Sequence, residues 1–237
     1  MSNHPPPPAI DAVILCGGLG TRLRAISGDL PKALVAFSGR PFIDILIESL
    51  LPFGFRRFIL LVGYSSKKIR EHFRGREYEV IFSEETEPLG TGGALKNARH
   101  QIMSSPFLLL NGDSLCPTDF AAFRQFHETC GGILSIVLAR PLAEIDYGII
   151  DMDEACRITA FREKDGTCGG RFINAGIYLL DHRVFDLMPE ALAFSLERDL
   201  ILCLLPQGCY GYVTDGVLID IGTPERYHRA AAFLSKK

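Results

Sequence analysis

Four runs that are apolar almost throughout, AVILC (12–16), RFILLVG (57–63), FLLLNGD (107–113) and ILSIVLA (133–139), constrain this chain more than any other feature. A strand with one wet face alternates apolar and polar residues, so strands of this kind must be covered on both faces. Between them lie segments of helical periodicity, among them PFIDILIESLLPFG, SSKKIREHF, GTGGALKNARHQI and PTDFAAFRQFHETC. Doubly covered strands joined by helices predict a doubly wound, mostly parallel, Rossmann-like α/β sheet.

After Pro141 the texture changes to shorter strand candidates, YGIIDMD, RITAFREK and FINAGIYLL, followed by CYGYVTDGVLIDIG between two helical segments, SLERDLILCLL and TPERYHRAAAFL. The last helix carries a start signal: Thr223 as N-cap, Pro224 at its first position and Glu225 in its first turn. We expect a disordered, proline-rich tail over 1–10 and one domain over 11–237, in halves 11–140 and 141–237. The second half is expected to extend the sheet and close over its carboxyl edge.

Composition narrows the partners. A net charge of −3 over 237 residues is not the basic excess that nucleic acid or anionic membranes require, which points to small molecules. The seven cysteines are scattered without a CxxC pair, which argues against a disulfide framework or zinc knuckle and for buried thiols in a reducing cytoplasm. No apolar run reaches the roughly 18 residues of a membrane span, and MSNHPPPPAIDAV lacks the basic start of a signal peptide.

The first strand breaks into CGGLGTR, a loop poor in β-carbons at the carboxyl end of a parallel strand, where open α/β sheets bind ligands. Glycines admit an anion to backbone N–H groups, and Arg22 and Lys32 add positive charge. The loop is not a P-loop, because GxxxxGK is absent, and Leu23 stands at the third glycine of the dinucleotide fingerprint. Asp113 and Asp220 each follow an apolar strand, and two carboxylates with phosphate oxygens make an octahedral Mg2+ site. The histidines show neither HxxxH nor HExxH spacing, so none is assigned to catalysis.

GGLGTRLRAISGDLPKALVAFSGRPFIDILIESL resembles the signature of the sugar nucleotidyltransferases, and EPLGTGGAL, LLNGDSL, FREK, NAGIYLL and DIGTPERY follow in the family's order. The resemblance covers about residues 12–230. The family's second proline after the lysine is Ala33 here, which relaxes the backbone there without removing the charge of Lys32. The resemblance implies transfer of a nucleotidyl group from an NTP to a sugar 1-phosphate, with residues 11–140 binding nucleotide and 141–237 the sugar phosphate. By the same resemblance the catalytic residues are Arg22 for the leaving pyrophosphate, Lys32 for the nucleotide phosphates, Lys164 for the sugar phosphate, and Asp113 and Asp220 for Mg2+. It implies nucleotide contacts at Gly17, Gly18, Gly20, Thr21, Gly90, Thr91 and Gly93, with Glu85, or its neighbour Glu84, on the base. Gly148, Glu163 and Asn174 would line the sugar pocket, and a homodimer is implied. The attacking sugar phosphate is already ionised, so no general base is needed.

Within the family, the short chain, DLPKALV, EPLGTGGAL, FREK and FSLERDLI look most like the guanylyltransferases of D-glycero-α-D-manno-heptose 1-phosphate, which serve bacterial surface polysaccharides. A carboxylate at Glu85, where many uridylyl and thymidylyl members carry Gln, can accept from both N1–H and the 2-amino group of guanine. The alternatives are mannose 1-phosphate with GTP and N-acetylmuramate 1-phosphate with UTP. A non-catalytic sugar-nucleotide sensor would have lost some of the five charged catalytic residues, and all five are present.

Overall fold

The computed structural model describes residues 10–18, 21–28, 30–37, 39–63, 66–141, 148–162 and 171–234. Its first strand, β1 (Ala12–Leu15), shows how the apolar runs are used. Ala12 and Ile14 enter one hydrophobic core and Val13 the other, all fully buried. The same division recurs in β2 (Arg57–Val62), where Phe58, Leu60 and Val62 face the first core and Ile59 and Leu61 the second. A sheet with an apolar layer on each side is the doubly wound arrangement expected.

The remaining strands of this sheet are β3 (Glu79–Glu84), β4 (Phe107–Asn111), β5 (Leu134–Ala139), β6 (Ile149–Met152), β7 (Ile158–Arg162), β8 (Phe172–Leu180) and β9 (Cys209–Val213). Their order is β7-β6-β8-β4-β1-β2-β3, with β5 along β8 and β9 beyond it. β1 is parallel to β2 and β4, β2 to β3, and β5 to β9, while β8 is antiparallel to β4, β5 and β6. Seven of these nine strands therefore point one way, and β7 and β8 run against them. The intervention of β8 between β4 and β5, and the antiparallel pairing of β7 with β6 at the edge, depart from simple winding. A strand buried along nearly its whole length reads the same whichever way it runs.

Helix α1 (Phe42–Leu50) packs Phe42, Ile43, Leu46, Ile47 and Leu50 into the first core. α2 (Ser66–His72) contributes Ile69 to that core, and α3 (Gly90–Asn97) places Ala94 and Leu95 in the second. α4 (Phe120–Cys130) starts where the Asp119 carboxylate accepts the N–H groups of Ala121 and Ala122, each at 3.0 Å, and stops at Gly131 in a left-handed conformation. α5 (Pro224–Leu234) has its predicted cap, with Arg226 N–H donating to Thr223 Oγ1 at 3.3 Å. The SLERDLILCLL segment is not a regular α-helix: Leu196–Ile201 is wound as a π-helix before a short α turn at Leu202–Leu204.

Ile10, expected at the end of the tail, is buried in the first core, and residues 1–9 lie outside the described residues. The antiparallel pairing of Ile219–Asp220 with Ser114–Leu115 brings the chain after β9 against the chain after β4. This brings Asp220 beside the chain that leaves the carboxyl end of β4.

Candidate active site

The carboxyl ends of β1, β3 and β4, the wall of β8 and the turn after Asp220 enclose a cavity of about 620 Å³. Gly17 and Gly18 of the glycine loop line it. Around Gly18 nothing lies within 4 Å of where a β-carbon would stand, whereas at Gly17 that atom would meet Glu85 Oε1 at 3.0 Å. Gly63 faces Glu85 more tightly still, at 2.6 Å. Two missing side chains thus make the seat of one carboxylate, whose other oxygen accepts Leu89 N–H at 3.3 Å. Glu84 turns away, to Ser66 and to Arg70 at 3.0 Å, and those hydrogen bonds hold its carboxyl below the ordinary range. Of the two neighbours, only Glu85 lines the cavity.

Asp113 and Asp220 meet because Asp220 pairs with Ser114 in the short ladder, and Ile221 N–H donates to Asp113 O at 3.0 Å. Each carboxylate holds a cation: Asp113 pairs with Lys32, and Asp220 Oδ2 lies 3.2 Å from Arg226 Nη1. Burial, then the charge of Asp113, push the Asp220 carboxyl above its usual value, against the pull of the Gly222 N–H, Arg226 and Lys32. Gly222 is required by this crowding, since a β-carbon would stand 2.8 Å from Asp220 Oδ1. Cys16 lines the same region, and burial with the charge of Asp113 pushes its thiol up to about 12, so it is a neutral wall group.

The GTGG segment serves packing as well as access. Gly92 and Gly93 N–H donate to Phe194 O at 3.0 and 3.2 Å, so a backbone carbonyl occupies the start of α3. A β-carbon on Gly92 would lie 2.3 Å from the Phe194 ring, and one on Gly93 the same distance from Leu192 O. Gly90 and Thr91 line the cavity, but Gly93 does not. Thr91 Oγ1 donates to Glu197 Oε2 at 2.9 Å and accepts Leu196 N–H at 2.8 Å, which ties the π-helix to α3.

On the β8 side, Gly148, Phe161, Asn174 and Gly176 line the wall with Asn111 of β4. Both ends of the Asn174 amide are engaged: Nδ2 donates to Tyr178 Oη at 2.7 Å and Oδ1 accepts Gly176 N–H at 2.9 Å. These bonds span the irregularity between Asn174 and Tyr178 in the β8–β5 pairing.

Arg22, Lys32, Asp113, Asp220, Gly17, Gly18, Glu85, Gly90, Thr91, Gly148 and Asn174 therefore line one cavity. Thr21 opens the turn Thr21–Leu23, and Gly20, Glu163 and Lys164 lie outside the described residues. Sequence reasoning missed Asn111, Glu197 and Arg226. Glu197 and Arg226 lie in helical segments where a charged residue ordinarily means a solvated face, and only their partners 106 and 6 residues away reveal otherwise.

Among the described residues no three or more His, Cys, Asp or Glu cluster as a self-sufficient metal cage, and no helix is long and apolar enough to cross a membrane. A glycine-lined cavity with two carboxylates, each tied to a cation, lies at the carboxyl edge of the α/β sheet, where open sheets of this kind bind ligands. The chain belongs to the nucleotidyl transferase family, whose profile spans residues 11–237. It is 33% identical over 225 residues to the D-glycero-alpha-D-manno-heptose 1-phosphate guanylyltransferase of Aneurinibacillus thermoaerophilus, covering 93% of this chain and 96% of that one. It is 32% identical over 231 residues to the mannose-1-phosphate guanylyltransferase of Mycobacterium tuberculosis, covering 95% of this chain but 64% of that longer one. The crystal structure of HddC from Yersinia pseudotuberculosis complexed with GMP-PN superposes with a TM-score of 0.81 at 37% identity, over 95% of this chain and 99% of that one.

Proposed function

We propose that this protein transfers a guanylyl group from GTP to D-glycero-α-D-manno-heptose 1-phosphate, releasing pyrophosphate. The observation that carries the reading is the Glu85 seat, a carboxylate held by Gly17, Gly63 and Leu89 N–H in the same cavity as Asp113 and Asp220. Guanine offers this acceptor two adjacent donors. The guanylyltransferase similar along nearly its whole length and the GMP-PN complex of HddC support the same base. Mannose 1-phosphate is the second sugar to weigh, because mannose-1-phosphate guanylyltransferases are nearly as similar over this chain.

An oxygen of the sugar phosphate attacks the α-phosphorus of GTP; the new P–O bond forms as the bond to the β-phosphate breaks, and the electron pair leaves with pyrophosphate. The protein's part is to position two polyanions and offset their charge. By the family resemblance Arg22 would hold the leaving pyrophosphate, Lys32 the nucleotide phosphates and Lys164 of FREK the sugar phosphate. Asp113 and Asp220 would hold Mg2+, and a pair of carboxylates with no third His, Cys, Asp or Glu clustered beside them among the described residues suits an ion whose other positions are filled by phosphate oxygens and water. When bound, that ion supplies charge neutralisation at the phosphates. The buried, unpaired thiols Cys16, Cys116 and Cys209 suit a cytoplasmic enzyme.

The test is pyrophosphate release with each of the four NTPs against heptose, mannose and N-acetylmuramate 1-phosphates. Turnover confined to GTP with heptose 1-phosphate is expected. A preference for UTP would overturn the base assignment, and a preference for mannose 1-phosphate the sugar.

A further inference from the structure

Asn111 ends β4 with its side chain in the wall of the cavity, and its amide oxygen is buried with no hydrogen-bond partner among the described residues. A buried, unpaired amide oxygen destabilises a fold, and leucine would fill nearly the same volume without that cost. The surroundings are nonetheless shaped to keep it. Gly176, held at φ +72°, presses against Asn111, and a β-carbon there would stand 2.6 Å from Asn111 Nδ2. The glycine of NAGIYLL is thus explained by the asparagine of LLNGD.

We propose that Asn111 is a specificity-determining residue that reads a ring hydroxyl of the sugar. The inference rests on the sugar 1-phosphate reading and deepens it. Position supports it: β4 separates the β1-β2-β3 side, which carries the glycine loop and Glu85, from β8 and β6, which carry Asn174, Gly176 and the chain after Gly148. Along that far wall Phe161 supplies an apolar surface 3.3 Å from where a β-carbon of Gly148 would lie. Asn174, the amide the motif nominates for the sugar, is spent at both ends on Tyr178 and Gly176. Among the described residues, Asn111 carries on this wall an amide oxygen that still lacks a partner. An apolar surface with one unfilled amide matches a sugar ring, which presents C–H groups and hydroxyls together.

The experiment compares wild type with Asn111→Leu and, should that variant fold poorly, Asn111→Ala, both of which lack the amide. KM is measured for GTP, for the preferred sugar 1-phosphate and for analogues each lacking one ring hydroxyl, and thermal midpoints are recorded alongside. Wild type should discriminate against one deoxy analogue by about tenfold, the worth of a neutral hydrogen bond. The variants should raise KM for the parent sugar about tenfold, treat parent and that analogue alike, and leave KM for GTP within twofold. Asn111→Leu should melt no lower than wild type, a result that a purely structural asparagine would not give. A variant that keeps wild-type discrimination, or that melts lower with both KM values disturbed together, overturns the role of Asn111 alone. Wild-type protein inactive with every sugar 1-phosphate overturns the substrate class, and the inference with it.

Discussion

Replacing Glu85 by Gln tests base recognition with almost no change in shape. Oε1 sits against Gly17 and Gly63, where β-carbons would stand 3.0 and 2.6 Å away, and Oε2 accepts the Leu89 N–H at 3.3 Å. A glutamine in this seat keeps one oxygen for Leu89 and turns the other position into an N–H donor. Guanine presents donors at N1 and at its 2-amino group, so an accepting contact becomes a donor facing a donor. The loss is that of a hydrogen bond to a charged group, about 1.5–3 kcal/mol, which corresponds to roughly 10- to 100-fold in kcat/KM for GTP. Because the contact is made equally in the ground and transition states, the change should appear in KM more than in kcat, with KM for the sugar phosphate unmoved. Steady-state pyrophosphate release at fixed sugar phosphate measures it. Glu84→Gln is the control, since that side chain engages Ser66 and Arg70 outside the cavity and should leave GTP kinetics unchanged. A change below threefold at Glu85, or an equal change at Glu84, refutes the reasoning.

Asp113→Asn and Asp220→Asn should each lower kcat about 10²-fold at saturating Mg2+ while circular dichroism stays native, because each loses charge stabilisation at the reacting phosphates; normal turnover in both would remove the metal assignment. Gly92→Ala drives a methyl to 2.3 Å from the Phe194 ring, and the rearrangement should cost about 1–3 kcal/mol in urea denaturation; wild-type stability would mean the 192–196 segment is not held there. His127 is buried, with Nδ1 2.8 Å from Ser135 Oγ, and burial lowers its pKa despite the opposing charges of Asp181 and Glu128. The unfolded chain takes up that proton near the ordinary 6.5 and the folded chain only lower, so stability should fall as pH drops through 6.5. His127→Gln should flatten that limb of a stability–pH curve, and an unchanged slope would show that other groups set it.

What was legible in the chain divides by the range of the interaction that gives a residue its role. Ala12–Leu15 running into Gly17 and Gly18 is a local pattern, and strand, glycine bend and adjoining cavity all follow from it. Asp113 follows an apolar strand of the main sheet, as its run predicts, but Asp220 lies in a separate two-residue antiparallel ladder with Ser114, and it is this contact, 106 positions apart in the chain, that brings the two carboxylates together. The direction of β8 was not legible, because full burial erases the alternation by which an antiparallel strand announces itself. Gly92 and Gly93 show the limit in another way. The sequence reveals that a side chain is missing but not what fills the space, which turns out to be Phe194 and Leu192.

The same distinction separates the two halves of the site. Phosphate recognition needs glycines and fixed charges on loops at strand ends, and such residues stand out against their apolar surroundings wherever they occur. The sugar recognition proposed above would rest on Asn111, Gly176 and Phe161, ordinary residues inside strands that line the cavity, with Asn111 and Gly176 in contact across β4 and β8. The glycine at 176 has meaning only beside the asparagine at 111, and neither is informative alone. Changes of sugar preference can therefore arise from paired substitutions within the strands while the phosphate motifs stay intact, so relatives that share those motifs need not share a sugar. A double-mutant cycle states this quantitatively: Asn111→Ala and Gly176→Ala should be strongly non-additive in sugar-phosphate KM, because the methyl at 176 strikes the Cγ and Nδ2 that truncation at 111 removes. Additive effects would mean that the two positions act on the substrate independently.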